Sequence, residues 1–192
     1  MQIQDRVTRH IVDVALAIMR ADFASLQQYD AERKGLKLLN HHGFDPGALK
    51  DWNWVYSHSV TGCGHSLRPG RRVIVPDIET CDFLTDLSRE TYRRCGIRAM
   101  QITPLLAPDG HLLGMVSTHW RTPHRPENSE FDMFDVWARQ TADVFTGNEE
   151  VAHLLRAASK ELDRCQDLIR QLERAVFRSV AGNQEPPQGL VH

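Results

Sequence analysis

Ile3, Val7, Ile11, Val14 and Ile18 recur at steps of three and four residues, the spacing that lays one apolar stripe along an α-helix. The spacing predicts a first helix ending near Asp22. Two extended runs follow, FASLQQYD and GLKLLNHH, joined by a polar turn over residues 31–34, which predicts a hairpin. GFDPGALKDWNWVY opens on Gly and Pro and continues with helix-tolerant residues, so a short helix or loop crosses away from the sheet there. Val73–Val75 reads as a brief strand stopped by Pro76, because proline has no amide hydrogen to give to a ladder. Across residues 77–95, Phe83, Leu84, Leu87 and Tyr92 stand at helical spacing, and Gly96 marks the stop. AMQITPLLA and HLLGMVSTHW flank Asp109-Gly110, the strongest short hairpin signal in the chain. Beyond TPHRP, Asn128 or Ser129 caps a last helix with Phe131, Phe134, Ala138, Thr141 and Phe145 as its buried stripe.

The predicted order is helix, two strands, an irregular helical crossover, three strands and a helix. This is an α+β plan with one mainly antiparallel sheet and helices at both ends. A chain of 192 residues carries one core plus an extension. Lys plus Arg number 23 against 25 Asp plus Glu, a balance that predicts neither a nucleic acid nor a membrane surface as the main partner. No run approaches the roughly twenty apolar residues that a bilayer requires, and the amino terminus lacks a small-residue cleavage site. The four cysteines, Cys63, Cys81, Cys95 and Cys165, are dispersed and form no CxxC pair. The expectation is a soluble cytoplasmic protein with reduced thiols.

After Gly147-Asn148, Leu155, Leu162, Ile169 and Val176 fall at seven-residue intervals, with Ala158, Cys165, Leu172 and Ser179 three residues after each. These are the a and d positions of a short coiled coil over residues 151–180, which predicts a parallel homodimer. A solvated helix folded back on its own domain is the alternative. The small and polar d residues make the seam weak, as suits pairing that changes with signal state. AGNQEPPQGLVH, residues 181–192, reads as a disordered tail. No output domain is expected in these residues, so the chain is either a stand-alone regulator or a piece of a larger receptor.

GRRVIVPDIE, the run CGIRAMQITPLLAPDGHLLGMVSTHW and the closing FDMFDVWARQTADVF helix, taken in order, resemble a GAF domain, the sensory module of histidine kinases and related signalling proteins. The resemblance covers residues 21–150. It implies a sensory domain over residues 23–150 with the helix of residues 1–22 packed on it. The family fold places terminal helices on one face of a central sheet and a ligand cavity beneath crossover helices on the other. The function implied is small-molecule sensing, not catalysis, with ligand state passed through the terminal helices of a homodimer. No particular ligand follows, because GAF domains bind many small molecules or none.

Alternation along the last hairpin selects candidate pocket residues. Gln101 and Thr103 share one strand face, and Ser117 and His119 share a face with Met115 and Leu113, while Leu112, Gly114 and Val116 point towards the terminal helices. If both sheet faces are covered, these polar groups are buried and need partners. A ligand is one source of partners; bonding to one another or to nearby backbone is the other. The stretch SVTGCGHSLRPGRRVIVPDI, residues 59–78, lies where the family keeps a glycine-flanked cysteine, at the lip of the pocket. Gly62 and Gly64 permit a tight turn or a close approach, and Cys63 is small enough to sit against a cavity. Trp54, His58 and Leu84 complete the candidate ligand-binding set. For Trp52, Trp54 and Tyr56, which alternate, core packing competes with ligand stacking.

Other chemistries leave weaker marks. A thiol enzyme of the kind that reduces free methionine sulfoxide requires a low-pKa thiolate and a resolving thiol; Cys81 near a helix start or Cys63 is the candidate, but the family's cysteine arrangement is not evident. Haem could take His119 as an axial ligand. A zinc site from His58, Cys63 and His65 lacks a fourth ligand at a recognisable spacing. Neither a phosphate-cradling GxxxxGK[ST] loop nor a GxSxG elbow occurs. A ligand-free dimerisation module, its polar pocket residues bonded to one another, is the remaining reading.

Overall fold

The computed structural model describes residues 2–67, 70–145, 164, 168–172 and 174. Helix α1 spans Gln2–Met19, and strands β1 (Phe23–Asp30) and β2 (Gly35–His42) form the first hairpin. Helix α2 (Pro46–Trp52), strand β3 (Trp54–Tyr56), helix α3 (Gly62–Leu67) and strand β4 (Val73–Val75) follow. A 3-10 turn over Ile78–Thr80 and helix α4 (Asp86–Cys95) lead into the second hairpin, β5 (Ala99–Leu106) and β6 (Leu112–Trp120), and helix α5 (Asn128–Phe145) closes the domain. The six strands make one sheet in the order β3-β2-β1-β6-β5-β4. Every neighbouring pair is antiparallel.

Both sheet faces are covered. On one, Ala24 and Leu26 of β1, Ala99 and Leu105 of β5 and Val116 and Trp120 of β6 pack with Ile11, Ala15 and Met19 of α1 and Phe134, Ala138 and Ala142 of α5. On the other, Phe23, Leu36, Met100, Ile102 and Met115 pack beneath Ala48 and Trp52 of α2, Tyr92 and Cys95 of α4, and the segments between. The buried stripe of α1 is rotated from the predicted one, so that Ile11, Val12, Ala15 and Met19 lead it and Val7 and Ile18 lie at its flank.

The crossover departs most from the sequence reading. Asp45 caps α2 by accepting from the amides of Gly47 and Ala48, with Pro46 in the first turn. Strand β3 was not predicted, because three residues are too few for a period to appear. The stretch read as a glycine loop is a helical turn, α3, whose start is fixed by Thr61 Oγ1 accepting from Gly64 N at 3.0 Å. Residues 77–95 are not one helix. Asp77 caps the 3-10 turn and Thr85 caps α4, so Phe83 and Leu84 precede the helix. Leu84 is buried, whereas Leu87 is exposed.

Helix α4 ends as predicted. Gly96 adopts φ +73° and its amide donates to the carbonyls of Tyr92 and Arg93. An L residue is strained in that conformation. Gly96→Ala is expected to lower stability by about 1–2 kcal/mol, read as a lower urea midpoint with unchanged slope. The added methyl itself would meet only the movable Arg121 Nη1, at 3.0 Å.

The coiled-coil expectation for residues 151–180 and the tail expectation for residues 181–192 fall almost wholly outside the described residues. Residues 168–172 are helical, with Leu168, Ile169 and Leu172 exposed. Among the described residues no helix is long and apolar enough to cross a membrane.

Candidate functional site

A cavity lies on the sheet face covered by α2, α3 and α4. Its floor is Ser25 and Gln27 of β1, Leu38 of β2 and His119 of β6. Phe44, Trp52, Val55, Thr61, Cys63 and Tyr92 form the walls. Sheet register explains the floor. Phe23 faces His119, Ser25 faces Ser117 and Gln27 faces Met115 across β1 and β6, and directly opposed residues point to the same side. The free space at the centre is about 20 Å³, room for one water molecule and little more.

His119 is 4% exposed, and neither ring nitrogen has a hydrogen-bond partner among the described residues. Its ring meets Phe44 edge-on at 5.3 Å and lies 6.5 Å from Tyr92. Burial pushes the imidazole down to about 3, so the ring is neutral at pH 7. Gln27, 2% exposed, donates through Nε2 to Trp52 O at 3.4 Å, and its Oε1 has no partner among the described residues. Buried polar atoms are rarely left in this state.

The cysteine between the glycines is at the wall. Cys63 Sγ lies 3.2 Å from Ser117 Oγ, and burial raises the thiol to about 11 despite that bond. Tyr92 OH accepts from Gly62 N at 3.1 Å; burial above all, with Cys63 nearby, raises its phenol. Burial also raises Cys81 and Cys95. The two glycines of α3 serve close approach: a Cβ at Gly62 would stand 2.5 Å from Met100 Sδ, and one at Gly64 2.2 Å from Ser59 O.

The structure divides the predicted ligand-binding set. His119 and Cys63 line the cavity, with Ser117 bonded to Cys63. Met115 and Leu84 belong to the surrounding apolar core. Gln101 and Thr103 require correction. Ile102, not Gln101, faces Ser117 across the hairpin, and Gln101 faces Thr118. Both polar residues therefore point to the face covered by α1 and α5, where Gln101 Nε2 donates to Thr103 Oγ1 and Thr118 Oγ1 donates to Gln101 Oε1 at 2.8 Å. Arg72 Nε donates to Thr103 Oγ1 at 2.9 Å, and its other nitrogens bond Asp135 of α5.

Leu113 and Leu112 are also exchanged. Leu106 pairs with Leu112 while Leu105 pairs with Gly114, and the residue skipped, Leu113, resets the alternation. Leu113 packs with the terminal-helix cluster and Leu112 with the cavity-side cluster. Trp54 lies on the strand face away from Val55, stacked on Tyr56 at 6.3 Å with the Arg33 guanidinium 4.7 Å from its ring. His58 is exposed and stacks on Tyr56 at 5.4 Å. Neither lines the cavity. Sequence reasoning missed Ser25 and Gln27, whose signal was their shared parity in FASLQQYD, and left Trp52 to the core.

The family model for the GAF domain matches residues 5–144. The chain belongs to the GAF domain family. Its fold is shared with a domain assigned to a two-component sensor histidine kinase of Sinorhizobium meliloti 1021, at TM-score 0.61 and 21% identity, covering 73% of this chain and 88% of that one. A GAF domain/HD domain protein of Geobacter sulfurreducens superposes at TM-score 0.61 and 14% identity, over 74% and 92% of the two chains. The GAF domain of an Acinetobacter phosphoenolpyruvate-protein phosphotransferase does so at 0.55 and 12%, over 79% and 96%. At these identities the likeness is one of fold. No curated protein matches the chain.

Proposed function

We propose that this chain is a small-molecule-sensing module of a signal-transduction protein, working as a homodimer and passing ligand state through its terminal helices, without catalysis of its own. The observation that carries the sensing reading is His119, a fully buried imidazole on a cavity floor whose two nitrogens lack partners among the described residues. A ligand that bonds it returns the hydrogen bonds lost on burial. The wall of the cavity has a covalent and polar route towards α5. Cys63 is on α3, Ser66 of the same helix donates to Arg71 O at 2.6 Å, and the adjacent Arg72 holds Asp135. Binding acts on this route only by preferring one arrangement of it.

The alternatives receive less support. Nucleophilic thiol chemistry needs a thiolate, and burial raises Cys63, Cys81 and Cys95 alike. A haem macrocycle would have to separate far more of the wall from the floor than a small ligand would, since the free space beside His119 is about 20 Å³. A closed core of mutually bonded polar groups describes Gln101, Thr103 and Thr118 but not His119.

The test is a thermal-shift screen of soluble metabolites against the wild type and His119→Phe, with light scattering of the same samples. The expected result is a dimer that at least one compound stabilises in the wild type and not in the variant. Compounds that stabilise both proteins equally, or none that stabilises the wild type, would remove the sensing role assigned to this cavity. A monomer would remove the dimeric arm.

A further inference from the structure

The cavity carries information about the charge and shape of what it binds. Its floor presents a row of polar groups, Gln27, Ser25 and His119, with Ser117 opposite Ser25. The walls present the rings of Phe44, Trp52 and Tyr92, with Phe44 and Trp52 meeting edge-on at 4.9 Å and Trp52 and Tyr92 tilted at 36° with centroids 5.0 Å apart. Among the described residues, none of the lining side chains is an Asp, Glu, Lys or Arg.

The geometry points to an uncharged single-ring molecule that bears both a hydrogen-bond donor and an acceptor, of the amide or lactam type, as the ligand of this cavity. The inference rests on the sensing reading above and narrows it. A formal charge placed among these walls would be desolvated with no counter-charge to meet it, the arrangement that proteins avoid most strongly. Burial holds the imidazole neutral at physiological pH, so an anion would bear the cost of protonating it as well as that of its own desolvation. The polar requirements are specific in kind. Gln27 Oε1 accepts and so demands a donor on the ligand, while a neutral imidazole offers one donor and one acceptor.

Size follows from the packing. The present space admits little beyond a water molecule, so a ligand makes its room by moving wall side chains off the floor. Each additional ligand atom separates more of those contacts. The favoured ligand is therefore the smallest that still reaches the polar row and lies between aromatic rings, which is one flat ring with a polar edge. Ring-on-ring contact recovers part of the packing given up.

Two matched sets test this on the full chain. Nicotinamide, nicotinate and N1-methylnicotinamide share one ring and are neutral, anionic and cationic; uracil and orotate are a neutral and an anionic pair. Binding is read by calorimetry and by the His119 ring resonances in proton NMR. The expected result is that at least one neutral probe binds and moves the His119 resonances, while its charged counterparts bind at least tenfold more weakly. His119→Gln, which keeps a donor and an acceptor, is expected to retain more of that affinity than His119→Phe. A charged probe binding as tightly as its neutral partner would overturn the ligand class and leave the sensing reading standing. No binding by either neutral ring would also overturn the class; the metabolite screen decides the sensing reading separately.

Discussion

Gly64→Ala is expected to destabilise the domain by about 3 kcal/mol, far more than Gly62→Ala two residues earlier. A Cβ at Gly64 would stand 2.2 Å from Ser59 O and 2.8 Å from Tyr56 O. Both are backbone atoms of a turn that cannot give way easily, because Ser59 N donates to Tyr56 O at 2.9 Å and Tyr56 N donates to Ser59 Oγ at 2.9 Å. At Gly62 the atoms met are Met100 Sδ at 2.5 Å and Ile102 Cδ1 at 2.6 Å, the ends of side chains that can rotate, and the expected loss is about 1 kcal/mol. Urea unfolding of the two variants beside the wild type checks the order. Gly64→Ala should also weaken ligand binding beyond its effect on stability, since moving α3 moves Cys63 away from Ser117. Equal midpoints for the two variants would mean that the turn at residues 56–59 is free to shift.

Both hairpins could be read from sequence because their information is local. The polar turn at residues 31–34 and Asp109-Gly110 lie between apolar runs, and the structure places strands at β1, β2, β5 and β6 around them. Gly96 likewise announced a helix end through its own backbone freedom. What could not be read is which side of the sheet each strand residue faces. Alternation identifies a side only when one face is polar, and here both are buried. Polar residues consequently occur on each face. Gln101, Thr103 and Thr118 satisfy one another and Arg72 beneath the terminal helices, while Ser25, Gln27, Ser117 and His119 share the cavity side. The phase between β5 and β6 comes from the hairpin and from the extra residue at Leu113, and the sequence has no separate mark for either.

The cavity walls were harder still. Phe44, Trp52, Thr61, Cys63 and Tyr92 come from four separate segments of the crossover, and no period links them. Their positions are set by short devices: the Asp45 cap, the Thr61 bond to Gly64 and the Thr85 cap. Each such device is visible in sequence as a common residue type in a common setting. Only packing against the sheet decides which of them are used.

Stability is expected to fall by about 2 kcal/mol between pH 6.5 and pH 5 on account of His119 alone. Burial holds its imidazole down to about 3 in the folded domain, against about 6.5 in the unfolded chain. Well above pH 6.5 both states carry the neutral ring and nothing is lost. Below it the unfolded chain takes up a proton that the folded domain refuses, so stability declines with every further step towards pH 3. The groups around the ring do not mask this. Cys63 and Tyr92 have raised pKa values and stay protonated throughout the window. His41, stacked on Phe44 at 5.6 Å, is itself lowered by burial and by His42, and adds a decline of the same sign. Comparing the wild type with His119→Phe at each pH cancels that addition and every carboxylate. The difference between the two stability curves should open below pH 6.5 and reach about 2 kcal/mol at pH 5. Parallel curves would place a proton on His119 in the folded state at pH 5, as would a His119 ring resonance that titrates near 6.5 in the native protein. Either result would mean that the cavity admits charge, and the argument for an uncharged ligand would fall with it.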